Sequence, residues 1–412
     1  MAICLISKCK IKGKTRENLV LTLTSFTMSK LIKQCVGIDI SKASFTACVC
    51  GRLLSGEVLT TPVVNFENSK HGFNQFIKWS RKTTDPSVEA LFLMEATGIY
   101  YEGIAYYLHK LSLPVSVILP NKVKHYARSL NIKTKTDIVD ARLIAQMGSE
   151  RQLPHWQPPS AIFKQLRDLT RLYTDLKKER TVYLNRIECE NSGADAMPFV
   201  SNSYHSILKE LEKQIVKSEK EIEKLLFAED WLAEKVRKLL TIKGVGLITI
   251  AITIAETQGF ALVKSRKQLA SYAGYDVVQR ESGTSVKGKT RISKKGNSRI
   301  RAALYFPALV ASRYNLGLKY DYQRINVGKA SKMVGATALQ RKILLLIYTL
   351  WKNNEIYNEN KERTSGNQEI KSLLHQSDGV TKKVGNSKEL PTQDELPLNL
   401  PTEVLLSQLQ SS

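Results

Sequence analysis

Two short apolar runs, EALFLMEA at 89–96 and PVSVILP at 114–120, each lead into a segment of helical periodicity. That alternation commits the N-terminal part of the chain to an α/β sheet with buried strands. Upstream, QCVGIDISKASFTACV at 34–49 reads as two β-rich stretches joined by a Ser-Lys turn, and GEVLTTPVV at 56–64 supplies a third candidate strand, which together make an antiparallel meander. Helical spacing recurs in NSKHGFNQFIKWSRK (68–82), through Phe73, Phe76, Ile77 and Ser80, and YYEGIAYYLHKL (100–111) and NKVKHYARSL (121–130) also read as helices. TKTDIVDARLIAQMG (134–148) reads as an amphipathic helix capped by Thr136. A meander followed by alternating strands and helices predicts an α/β RNase H-like domain over 31–157.

Pro154, Pro158 and Pro159, set around Trp156, mark the exit from that domain, since proline neither continues a helix nor pairs inside a sheet. Two long charged stretches follow, about Ala161 to Glu190 and Ser203 to Ala228, with apolar residues at three- and four-residue steps and the breaker NSGADAMPF between them. They predict a coiled-coil-like helical arm over 158–230, suited to dimerisation or to spacing two domains. A mostly α-helical C-terminal domain spans 231–354. Within it, KLLTIKGVGLITIAITIAE (238–256) reads as helix, G-V-G turn and helix. This helix-hairpin-helix-like element has a turn that can offer backbone N–H groups to a DNA phosphate or simply pack. A polar tail over 355–412 is expected to be disordered. Residues 1–30 are expected to be a disordered extension or a mis-assigned start upstream of Met28.

Charge narrows the partner. The chain carries 62 Lys and Arg against 38 Asp and Glu, a formal net charge of +24, which implies an anionic partner. No apolar stretch approaches the roughly 20 residues needed to span a bilayer, so nucleic acid is favoured over a membrane. The six cysteines form no C-x-x-C pair and have no histidine at a zinc-ligand interval. They suit a reduced cytoplasm, with Cys48 and Cys50 as small hydrophobes on one strand face. The N-terminal stretch has no continuous apolar core or cleavage site of a signal peptide, which also points to a cytoplasmic protein.

Four carboxylates stand out. Asp39 interrupts a strand in which Val36, Ile38 and Ile40 share one face, and Glu95 ends the apolar run LFLME. A carboxylate so placed either meets solvent at the strand end or needs a partner, and strand ends are where open α/β sheets bind ligands. Asp137 and Asp140 are three residues apart, so both project from one helical face. Capping by the helix dipole explains Asp137 better than Asp140. A pair of Mg²⁺ ions about 4 Å apart, held by all four, accounts for the whole set and would cut a phosphodiester. Lys133, Lys135 and Arg142 lie nearby in sequence to hold phosphate.

The second constellation is RESGTSVKGKTRISKKGNSRIR at 280–301. Its Lys287, Lys289, Arg291, Lys294, Lys295, Arg299 and Arg301 read most simply as a phosphate-binding loop. It also holds Ser282 and Ser285. A serine nucleophile must be activated by a base, a metal or a stabilised oxyanion, and no base lies close in sequence.

GIDISK, MEATGIYYE, KTDIVDARLIA and SGTSVKGKTRISKKGNSRIRAALY, in that order, resemble the IS110 family of insertion-sequence transposases, kin to the Piv-type DNA invertases. The resemblance runs from about Lys33 to Asn353. It implies a RuvC-like N-terminal domain whose DEDD carboxylates fall on Asp39, Glu95, Asp137 and Asp140. It also implies a C-terminal domain whose serine forms a covalent phosphoserine link to DNA. Ser282 matches that serine best, with Ser285 in reserve. The family further implies an active site composed from domains of different subunits, a homo-oligomer of tetramer size, and a guide (bridge) RNA from the element's own end. The reading carried forward is a Mg²⁺-dependent DNA transposase of a mobile element. Its rivals are a site-specific invertase without guide RNA and a non-catalytic nucleic-acid-binding remnant.

Overall fold

The computed structural model describes residues 30–358 except 97, 280, 284, 285 and 289. The expected N-terminal extension and nearly all of the expected tail lie outside the described residues. The chain divides between Ser160 and Ala161 into two compact units.

The first unit holds strands β1 (Leu31–Ile40), β2 (Ser44–Leu53), β3 (Val58–Thr60), β4 (Val64–Glu67), β5 (Ala90–Glu95) and β6 (Val115–Ile118). They form one sheet in the order β3-β2-β1-β5-β6, with β4 also pairing with β2. The meander pairs are antiparallel, whereas β5 runs parallel to β1 and β6 parallel to β5. The third expected strand is split in two because Pro62 has no N–H to give the ladder. Thr61 repairs the gap: its N–H donates to the Val49 carbonyl and its Oγ1 accepts from the Val49 N–H, both at 3.0 Å.

Helices α1 (Lys70–Thr83), α2 (Glu102–Lys110), α3 (Pro120–Ser129) and α4 (Asp137–Glu150) complete this unit. Alternation along β1 supplies both faces of the sheet. Val36, Ile38 and Ile40 pack with Phe73, Phe76, Ile104 and Leu108 of α1 and α2. On the other face Cys35 and Leu93 pack with Val123 and Tyr126 of α3 and Leu143, Ile144 and Met147 of α4. Cys48 and Cys50 are buried against Ala141 and Ala145.

The second unit opens with the antiparallel helices α5 (Ala161–Asn191) and α6 (Pro198–Leu226), bridged near mid-length by Arg180 and Glu212 at 3.0 Å. Helix α6 starts five residues before the expected Ser203 because Pro198 suits the first turn of a helix, where its missing N–H costs nothing. Helices α7 (Asp230–Leu240), α8 (Leu247–Thr257) and α9 (Arg266–Ala273) follow. Then come the short strands β7 (Val277–Val278), β8 (Glu281–Ser282), β9 (Val286–Lys287) and β10 (Arg291–Ile292), and helices α10 (Ser298–Tyr314), α11 (Leu316–Asn326) and α12 (Met333–Asn353). One core joins Leu166, Ile222 and Leu226 from the base of the arm to Val236, Ile254, Leu304 and Ile343.

Among the described residues α12 alone is long and apolar enough to cross a membrane; its Leu339, Ile343, Leu344 and Ile347 are fully buried in that core. The turn between α7 and α8 uses its two glycines differently. Gly244, at φ +94°, lies where a Cβ would come within 3.0 Å of the Ala311 nitrogen, so it packs inward against α10. Gly246 opens α8 without a side-chain cap. Just beyond α12, the Tyr357 N–H donates to Thr241 Oγ1 and its hydroxyl donates to Asn315 Oδ1.

Candidate active site

Cys35, Gly37 and Asp39 share the face of β1 that lies under α4. At Gly37 the backbone of helix α4 lies directly on that strand. A Cβ on Gly37 would fall 2.2 Å from the Ala145 nitrogen and 2.5 Å from the Ala141 oxygen, and one on Gly148 would fall 2.1 Å from Cys35 Sγ. With Gly148 over Cys35 and Ala141 and Ala145 over Gly37, two residues forward along β1 correspond to about one turn backward along α4. The next step carries Asp39 to the first turn of α4, which holds Asp137 and Asp140. Thr46 fastens this corner. It is Asp39's cross-strand partner on β2, and its Oγ1 donates to the Asp137 carbonyl at 3.2 Å. Thr136 caps the helix, its Oγ1 accepting from the Val139 N–H at 3.3 Å.

Glu95 reaches the same corner from the neighbouring strand. Ile38 of β1 lies beside Met94 of the parallel β5, so Asp39, one residue before the end of β1, and Glu95, which ends β5, lie at the same edge of the sheet. Leu93, two residues before Glu95, packs on the α4 side, and strand alternation puts Glu95 on that side too.

The electrostatics agree with this proximity. Burial pushes the Asp39 carboxyl up to about 6, and the charges of Asp140, Asp137 and Glu95 add to the shift; the Ile40 N–H opposes it. Burial also raises Asp140, with Asp137 adding to the rise and Lys135 working against it. Lys133, Lys135 and Arg142 are exposed. All four carboxylates offer hard oxygen donors, and the repulsion felt by Asp39 is the kind a divalent cation would relieve, so the donor chemistry fits Mg²⁺. The side chains as they stand do not close on an ion. Among the described residues no three His, Cys, Asp or Glu side chains gather tightly enough to hold a metal.

In the second unit Ser282 ends β8, exposed, immediately before a turn entered by Gly283 at φ +56°. It pairs with Val286 of β9, while β7 and β10 form the root of the hairpin. Ser285 and Lys289 lie outside the described residues. Arg291, Lys294 and Lys295 are exposed around the root. Two of the expected phosphate binders are engaged within the protein: Arg301 Nη1 donates to the Ala273 carbonyl at 2.8 Å, and Arg299 Nη1 meets Asp175 at 3.4 Å.

One charged residue was not singled out from the sequence. Glu256, at the end of the apolar helix α8, is buried and accepts from Arg171 Nε and Nη2 at 2.8 and 3.0 Å and from Asn297 Nδ2 at 2.7 Å. Its signal was available as the one acid closing the run LITIAITIAE.

Residues 36–189 match the IS110-type DEDD transposase family, and residues 236–323 match the family described as Transposase IS116/IS110/IS902. The chain belongs to the IS110 transposase family. The first match in this transposase contains all four carboxylates, and the second contains the Ser282 hairpin with α8 to α10. The transposase is 28% identical over 330 residues to the pilin gene-inverting proteins of Moraxella bovis and Moraxella lacunata, covering 79% of this chain and 98% of each relative. Among solved structures, it aligns with T. thermophilus RuvC in complex with Holliday junction substrate at 16% identity and a TM-score of 0.19, over 28% of this chain and 97% of that one. As a member of this family the protein is a DNA recombinase related to invertases.

Proposed function

We propose that this transposase cuts and rejoins DNA with Asp39, Glu95, Asp137 and Asp140 as the metal-holding carboxylates and Ser282 as the nucleophile. The observation that carries the first half is the convergence of charge on Asp39. Three carboxylates from two further elements act on one half-buried acid at the C-terminal edge of the sheet. Mg²⁺ held there would polarise the scissile phosphate and neutralise its oxygens.

The chain's own residues do the rest. The Ser282 oxygen attacks phosphorus, the bond to the leaving sugar oxygen breaks, and that sugar oxygen gains a proton as the serine loses one. The phosphoserine ester keeps the energy of the broken bond until a new strand's hydroxyl reverses the attack and frees Ser282. Lys135 and Arg142 hold phosphate beside the carboxylates, and the exposed Arg291, Lys294 and Lys295 do so beside the serine. The high positive charge permits a nucleic-acid partner in addition to the cut DNA, which we assign to a bridge RNA on the strength of the family resemblance alone. A homo-oligomer supplies paired active sites.

The gene-inverting relatives favour a second reading, in which the same chemistry inverts a segment between protein-read sites without RNA. Cleavage of a DNA substrate bearing the element's end, with Mg²⁺ and with or without RNA transcribed from the flanking DNA, separates the two. RNA-dependent cleavage supports the first reading, and full activity without RNA supports the second. In either case Asp140→Ala is expected to abolish cleavage while the protein stays folded.

A further inference from the structure

The hairpin that presents Ser282 is held by two-residue ladders, β8 with β9 and β7 with β10 at its root. Asp276 and Ser293 cross-link the two sides there, with Ser293 Oγ donating to Asp276 Oδ1 at 2.5 Å and the Ser293 N–H donating to the Asp276 carbonyl at 2.8 Å. The chain leaving the root then lies flush on the end of α9. A Cβ on Gly296 would fall 2.4 Å from the Gly274 nitrogen and 2.5 Å from the Tyr272 oxygen. Next comes Asn297, whose Oδ1 caps α10 by accepting from the N–H groups of Arg299 and Ile300 at 3.0 and 3.2 Å. The Asn297 amide nitrogen is what Glu256 holds, at 2.7 Å. Glu256 in turn is gripped by Arg171 of α5 through two parallel bonds, and the Tyr272 hydroxyl donates to its backbone carbonyl at 2.7 Å. One turn further along α5, Asp175 meets Arg299.

Pairing a buried carboxylate with a half-exposed guanidinium is a poor way to gain stability, because desolvating the carboxylate offsets much of the attraction. Its distinctive property is orientation. A bidentate guanidinium and carboxylate fix each other's plane, and here the fixed carboxylate holds the residue that starts α10 and ends the hairpin root. We propose that Glu256 is a positioning residue: with Arg171 and Asn297 it clamps the root of the Ser282 hairpin to the helical arm and so sets where the serine is presented to DNA. This rests on the serine reading above, since Glu256 itself touches no DNA in this scheme. Through Arg171 it also makes the hairpin's placement depend on the seating of α5.

The test uses the full-length protein with Mg²⁺, the element-end DNA and RNA from the flanking DNA, comparing parent, Glu256→Gln, Arg171→Lys, Arg171→Ala and Ser282→Ala. Measured are the single-turnover rate of covalent protein–DNA adduct formation, DNA affinity, the thermal midpoint, and hydrogen exchange across 291–301. Glu256→Gln is expected to slow adduct formation about tenfold or more, the scale of a small misplacement of a reacting group. DNA affinity and folding at the assay temperature should stay at the parental level, and exchange should rise in 291–301 but not in β1. Arg171→Lys should retain more of the rate than Arg171→Ala. Parental adduct rate in Glu256→Gln alongside an inactive Ser282→Ala overturns the clamp and leaves the serine in place, as does a loss of rate that only follows lost affinity or unfolding. An adduct that persists in Ser282→Ala overturns the serine reading, and the clamp's catalytic role with it.

Discussion

Asp39 and Glu256 are both acids in apolar surroundings, and the protein treats them oppositely. Asp39 is raised by burial and by three like charges, so its ionisation costs stability from about pH 4 upward, and in full above about pH 6. Replacing it with the neutral, nearly isosteric Asn should stabilise the first unit in metal-free buffer at pH 7. The expected gain is about 1 kcal/mol once the shift is discounted for solvent screening. The same substitution should abolish cleavage, and a higher thermal midpoint in an inactive variant is the signature to measure. For Glu256, burial pushes the carboxyl up, but the hydrogen bonds from Arg171 and Asn297 and the charges of Arg171 and Arg299 outweigh it and hold the group below its usual range. A lowered acid contributes stability that is present above its unfolded pKa and is lost as pH falls through the folded one. Glu256→Gln should therefore cost about 1–2 kcal/mol at pH 7, a value reduced because the Arg171 side chain is 43% exposed. The gap from the parent should close on acidification below about pH 4. Thermal melts of the two proteins across pH 3 to 7 check both the size and the sign. The sequence makes Asp39 and Glu95 legible because each breaks an apolar strand run. Asn297 is hidden because its partner Glu256 lies 41 residues away, and nothing local records that pairing.

At the scale of elements, the carboxylate corner depends on how closely α4 approaches β1, which small residues permit. Gly37→Ala would place a methyl group within 2.2 Å of the α4 backbone. Because that obstacle is backbone and not a flexible side chain, the helix must shift, at a cost of about 1–3 kcal/mol or more. The substitution should also suppress cleavage by carrying Asp137 and Asp140 away from Asp39, although residue 37 bears no functional group. Retained cleavage in a folded Gly37→Ala protein would show that this register is not needed. The sheet, the helix carrying Asp137 and Asp140, and the paired arm helices could be read from periodicity because each buries a regular face. The division of the third strand at Pro62 and the early start of α6 at Pro198 follow from proline's missing N–H. Periodicity does not report either one. The fine β-ladder around Ser282 is built of two-residue pairs, too short for any pattern to show, so the sequence displays only a basic loop there.

For the whole molecule, the excess of Lys and Arg makes association with nucleic acid strongly salt-dependent. Neutralising exposed Lys294 or Lys295 should weaken DNA binding alike across sequences and reduce the slope of log affinity against log salt by about one each. An unchanged slope would remove those residues from the phosphate surface. In the proposed mechanism the chemistry is divided between the two units, with carboxylates in the first and the serine in the second. The most direct measurement is therefore the covalent protein–DNA adduct on a denaturing gel, run for parent, Ser282→Ala and Asp140→Ala with Mg²⁺, element-end DNA and the flanking RNA. An adduct in the parent that is lost in both variants is the expected result. Parental adduct in either variant, or carboxylate-dependent cleavage with no adduct at all, would contradict a serine nucleophile working with a metal-holding carboxylate set.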